Sequence, residues 1–152
     1  MTEELLKLEK ELSFDHLSHE DLHDIGESIL RRVKEEKQGS VGIRAVVNGL
    51  RIYQYVMDGR EEDRWLSRKE KTVETFGHSG YYLWAMYQEK KKYDRYVEDE
   101  EYAICGGSFP ILIGGMRVGV FCVSGLSHGQ DHQLIVDAFR EFQGKQKAEH
   151  AD

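Results

Sequence analysis

Apolar residues recur along this chain at two periods, and each change of period marks a new element. Leu5, Leu8 and Leu12 follow Thr2 at helical spacing and predict a short opening helix. A second helix is marked more strongly. Ser18 precedes "HEDLHDIGESILRRVKEEK", Asp21 stands where a capping-box acid belongs, and Leu17 with Leu22 fill the two positions of a hydrophobic staple. Leu22, Ile25, Ile29, Leu30 and Val33 then give this helix one apolar face, which predicts that it covers a sheet. The period drops to two in "VGIRAVVNGLRIYQYVMDG", where Asn48-Gly49 separates two runs and predicts a hairpin turn with positive φ at both positions. Val41, Ile43, Ala45 and Val47 alternate with Gly42, Arg44 and Val46, so one face is expected to be buried. In the second strand Ile52, Gln54 and Val56 alternate with Tyr53, Tyr55 and Met57. Apolar bulk on both sides predicts that its outer face is covered too, by a helix or by another subunit.

From Glu61 to about Lys92 the pattern is helical, with Val73, Phe76, Gly80, Leu83 and Tyr87 on one stripe. Two glycines in "FGHSG" predict a break or kink near its middle, and Gly80 on the stripe predicts a close backbone approach. Beyond a polar loop, "EEYAICGG", "FPILI" and "RVGVFCVSG" read as three strands, the last two joined by Gly114-Gly115. Phe109-Pro110 fits a strand start or edge. A final helix is expected to start near Asp131, with Leu134, Ile135, Ala138, Phe139 and Phe142 as its apolar face. The order predicts an α+β domain, an antiparallel sheet of about five strands flanked by helices, with no second domain in 152 residues.

Composition narrows the partners. A net charge of −7 argues against a nucleic-acid surface, and no run is long enough to span a membrane. The acidic start "MTEELLKLEKEL" lacks the pattern of a signal peptide, so the expected location is cytoplasmic. Cys105 and Cys122 are too few for a disulfide framework and read as structural thiols.

The glycine-rich segment 105–125 is no phosphate cradle. Gly106-Gly107 and Gly114-Gly115 are placed between strands rather than before a helix, and no Gly-Lys-Ser/Thr follows. Ser124-Gly125 differs, because it leads through "LSHGQDH" into the last helix. That junction could present amides, Ser124, Ser127, His128 and a helix start to an acidic ligand, or Ser127 or Asp131 could simply cap the helix. Among seven histidines, His19 and His23 stand at i, i+4 but read as surface residues. His128 and His132, with Asp131, could ligate a metal or an axial heme position. His78 is expected to face solvent or a subunit interface, as a hydrogen-bonding or a ligand-contacting residue. It forms no hydrolase pair with Ser79, since neighbours on a helix point about 100° apart. Trp65, Lys69, Tyr81, Tyr82 and Trp84 read as core or as the wall of a flat ligand.

The set "GGSFPI", a glycine turn, "VGVFCVSGL" and "DHQLIVDAF" resembles the signature of the GlcG/HbpS-like family, often labelled heme-degrading domain proteins. "LRIYQYVMDG" and "WLSRKEKTVETFGHS" extend the resemblance to a subgroup of small proteins, over a core of about 12–143. The resemblance implies a profilin-like fold, homo-oligomers and heme as a ligand or substrate, heme degradation also needing an electron donor. Ser79 matches the family's "GHSS" motif, but Gly80 replaces its second serine, so no role needing both hydroxyls carries over. Two functions follow as expectations: a small-ligand-binding oligomer using His78, Ser79, Ser124, His128, Asp131 and His132, or an oligomeric interaction module without a small ligand.

Overall fold

The computed structural model describes residues 1–150 and has six helices around one four-stranded sheet. The helices are α1 (Thr2–Glu11), α2 (His19–Glu35), α3 (Arg64–Phe76), α4 (Gly80–Lys90), α5 (Asp94–Val97) and α6 (His128–His150). The strands are β1 (Gly42–Val47), β2 (Leu50–Val56), β3 (Ser108–Ile113) and β4 (Met116–Ser124), all antiparallel in the order β2-β1-β4-β3. Among the described residues no helix is long and apolar enough to cross a membrane.

Local signals are met where local chemistry decides them. Ser18 and Asp21 form both halves of the capping box, and Leu17 and Leu22 are buried. Asn48 and Gly49 both take positive φ in the hairpin turn. The long helical stretch breaks at Gly77, which ends α3 in the left-handed region, and Ser79 restarts the chain by accepting a hydrogen bond from the Tyr82 amide. Gly80 is needed there: a Cβ would run into the Cys105 carbonyl and crowd the Ser108 hydroxyl.

The sheet has four strands, not five. "EEYAICGG" forms turns and irregular backbone instead of a strand: β4 reaches it at the Gly107 carbonyl, which accepts the Val123 amide, and α3 side chains hold the middle of the segment. Arg68 Nε donates to the Tyr102 carbonyl at 2.9 Å, and the Ala103 amide donates to Thr72 Oγ1 at 2.8 Å. The last helix also starts three residues before Asp131, at His128, because Ser127 and Gln130 cap it reciprocally.

Both faces of the sheet are covered. Ile43, Ala45, Phe109, Ile111, Phe121 and Val123 pack under α2 and α6, while Val120 and Cys122 meet Leu66 and Val73 of α3. The bulk on both sides of β2 is therefore accounted for within the chain, Tyr53 beneath α2 and Val56 towards α3, with Tyr55 left exposed. The alternate positions of β1 are buried as well. Arg44 is fully enclosed there and reaches Gln54, Ser67, Glu70 and Asp63 at 2.6–3.0 Å, as a buried guanidinium requires.

Candidate functional site

The Lys69 side chain of α3 meets β4 and α6 at their junction. β4 ends at Ser124, Gly125 takes φ 147°, and α6 begins at His128. Asp131, in the first turn of α6, accepts the Leu126 amide at 3.0 Å and the Gly125 amide at 3.3 Å. Its carboxylate also takes the Lys69 ammonium at 3.1 Å, and Lys69 donates to the Val123 carbonyl at 2.9 Å. Lys69 and Asp131 are 3% and 1% exposed, so this is a sealed ion pair whose neighbours meet nearly every polar demand. Gly107, at φ 118°, leaves the room: a Cβ there would meet Lys69 Nζ, the Val123 carbonyl and Asp131.

His128 accepts the Gly106 amide at Nδ1, 3.0 Å. Burial, then the Lys69 charge, holds its pKa below the usual histidine value. His132 lies flat on Tyr81, ring centroids 4.6 Å apart, with a buried Nδ1 that has no hydrogen-bond partner among the described residues. Burial brings its pKa down to about 4. Tyr81 and Trp84 also touch the His128 ring, so the two histidines belong to an aromatic cluster. The expected metal arrangement of His128, Asp131 and His132 does not form: among the described residues no group of three or more His, Cys, Asp or Glu could hold a metal ion. A cavity of about 260 Å³ opens between Ser124, His128, Asp131, Lys69, Arg60 and Trp65.

His78 and Ser79 lie elsewhere. Glu9 of α1 is buried and accepts the Ser79 amide at 2.8 Å, and its second oxygen is 3.1 Å from His78 Nδ1. Ser79 is fully buried, while the His78 side chain is 40% exposed and rests against Tyr82. His78, His128 and His132 thus do not line one cavity. His19 and His23 are exposed on α2, and His23 neighbours Asp24, Glu27 and the Tyr53 ring. Both thiols are free, with burial pushing Cys122 up to about 12.

Residues 17–140 match the family model described as haem degrading protein HbpS-like. The chain belongs to the HbpS-like family. A curated relative from Psychromonas ingrahamii, a UPF0303 protein, is 32% identical over 145 residues and is covered to 91%, as is this chain. Among solved structures the fold matches the Ybr137w protein with a TM-score of 0.85 and 28% identity, over 96% of this chain and 89% of that one. It also matches a PduOC:heme complex with a TM-score of 0.69, over 82% and 93% of the two chains; at 18% identity that likeness concerns the fold. The α1 helix that carries Glu9 precedes the part matched by the HbpS-like model.

Proposed function

We propose that this HbpS-like protein binds a small planar ligand, heme or a related anion, through His78. The observation that carries the reading is the Glu9–His78 pair. A histidine that binds a metal usually gives its other ring N–H to a carboxylate, which fixes the ring and its tautomer. Glu9 can take that hydrogen bond at Nδ1 and leaves Nε2 as the free nitrogen of a half-exposed ring. Support for heme as the ligand comes from the family description and from the heme-bound PduOC fold neighbour.

The β4–α6 cavity fits heme poorly. At about 260 Å³ it falls below the range of about 300–1,000 Å³ typical of pockets for larger organic ligands. His128 Nδ1 is taken by the Gly106 amide, so the ring proton sits on Nε2 and neither nitrogen offers a free lone pair. Heme bound at His78 would supply an iron centre; the chain supplies the nitrogen, the Glu9 carboxylate that orients it, and the Tyr82 ring beside it. Homo-oligomers belong to this reading as well, with Leu50 and Tyr55 exposed along the edge strand β2 as the contact.

The test is a hemin titration of the full chain followed by Soret absorbance, with His78→Ala, Glu9→Gln and His128→Ala alongside. A saturable shift is expected in the unchanged protein and in His128→Ala. It is expected to be lost in His78→Ala and weakened about 10-fold or more in Glu9→Gln. An unsaturable change, or one that no variant alters, would overturn the reading and leave the interaction module.

A further inference from the structure

The cavity at the β4–α6 junction holds more hydrogen-bond donors than its own acceptors use. Its one carboxylate, Asp131, already accepts from Lys69, Gly125 and Leu126, which occupies most of its roughly four acceptor positions. Lys69 has three N–H groups, and two are accounted for by Val123 and Asp131. Arg60 donates once, to the Ser40 carbonyl at 3.2 Å, and has no carboxylate within ion-pair distance among the described residues. The Ser124 side chain lines the same space on a residue 8% exposed, and no hydrogen bond engages its hydroxyl among the described residues. His128 adds an Nε2–H, because Nδ1 is the acceptor for Gly106. Trp65, 42% exposed at the rim, contributes an indole N–H.

Charge agrees with this count. Lys69 and Asp131 cancel, which leaves Arg60 as an uncompensated cation on a protein of net charge −7. A neighbouring cavity of about 340 Å³ shares Arg60, Trp65 and Ser124 but is walled by Glu61, Glu62 and Asp63, which would repel an anion. The favourable side is the one towards Lys69.

We infer that this cavity binds a small oxyanion, a carboxylate or phosphate of a few heavy atoms, held by Arg60 and hydrogen-bonded by Ser124 and the His128 Nε2–H. The site shares no residue with the Glu9–His78 pair and stands whether or not heme binds there.

The test titrates the full chain separately with sodium phosphate, acetate and glycolate at constant ionic strength, balanced with chloride, following the Trp65 indole by ¹H–¹⁵N NMR. Saturable shifts around Trp65 are expected for at least one of these anions. Arg60→Gln is expected to raise the dissociation constant about 10-fold or more, and Ser124→Ala several-fold, since hydrogen bonds to charged groups contribute most. Lys145→Gln, on the distant end of α6, should change nothing. Saturation by phosphate alone, or by the carboxylates alone, identifies the source of the oxyanion. The inference fails if no probe saturates, or if Arg60→Gln and Ser124→Ala bind as the unchanged chain does. Hemin binding retained in both variants separates this outcome from that of the His78 reading.

Discussion

The β4–α6 junction and the turn before α4 use the same device to different ends. In each, a carboxylate accepts backbone N–H groups and sits beside a basic side chain: Asp131 takes the Gly125 and Leu126 amides of its own junction, and Glu9 takes the Ser79 amide from 70 residues away. At the junction the base is Lys69, and it is sealed with Asp131. At the turn the base is His78, and it remains 40% exposed above a buried Glu9. A sealed lysine has its charge committed to the fold. A half-open histidine held by one nitrogen keeps the other for something outside it. The exposure of the base, more than the carboxylate beneath it, separates a structural clasp from a candidate ligand.

The sharpest way to break that contrast is to remove one partner of the clasp. Asp131→Asn leaves a buried lysine uncompensated and is expected to cost about 3–5 kcal/mol in urea unfolding. The double change Lys69→Met with Asp131→Leu should recover most of that loss, because well-packed apolar residues often replace a buried pair without penalty. Failure to recover would mean that the pair also does something besides hold the junction.

Next in size is an acid sensitivity centred on His132. Its pKa of about 4 when folded lies below its unfolded value of 6.5, so the unfolded chain takes up a proton that the folded one refuses. Stability from this residue is full above pH 6.5 and falls as the pH drops towards 4, by up to about 3 kcal/mol. Chemical denaturation across that window should show the slope, and His132→Phe should flatten it. A profile unchanged by His132→Phe would assign the acid sensitivity to the carboxylates.

Glu9→Gln tests the open member of the comparison. It keeps one acceptor for the Ser79 amide but loses the charge, and about 1–2 kcal/mol of thermal stability is expected to go with it. Smallest is Ser127→Ala, which removes half of the α6 cap and should cost about 1 kcal/mol in a thermal melt. A larger effect would show that the cap helps to place Asp131.

These features were unevenly legible in the sequence. Ser18 with Asp21, and Asn48 with Gly49, could be read because each signal is complete within a few residues. "EEYAICGG" could not be told from a strand, since an apolar run ending in glycines reads the same whether its backbone pairs with a strand or hangs on Thr72 and Arg68. Ser124, His128 and Asp131 line one cavity but form no metal centre among the described residues; the pattern marks Lys69 only as core or ligand wall, and Glu9 not at all. Lys69 falls between Leu66 and Val73 on the buried side of α3, and Glu9 follows Leu5 on the buried side of α1. A charge in an apolar stripe signals a hidden partner, but it does not say which one. Asp131 is 62 residues from Lys69, and Ser79 is 70 from Glu9.

The Gln143 amide donates to the carbonyls of Glu11 and Ser13, and Gln146 donates to that of His16, across 130 to 132 residues of chain. The inner strand β1 likewise pairs with β4, which follows only after three helices and two strands. Such distant pairings delay folding, because the chain must close large loops before they are made. On the ribosome β1 and β2 could form their hairpin early, yet one side of β1 would stay open until β4 emerged. The turn around residues 11–16 would wait longer still, for the last helix to leave the exit tunnel. During synthesis that early hairpin would therefore present an open strand edge and an apolar side to other chains.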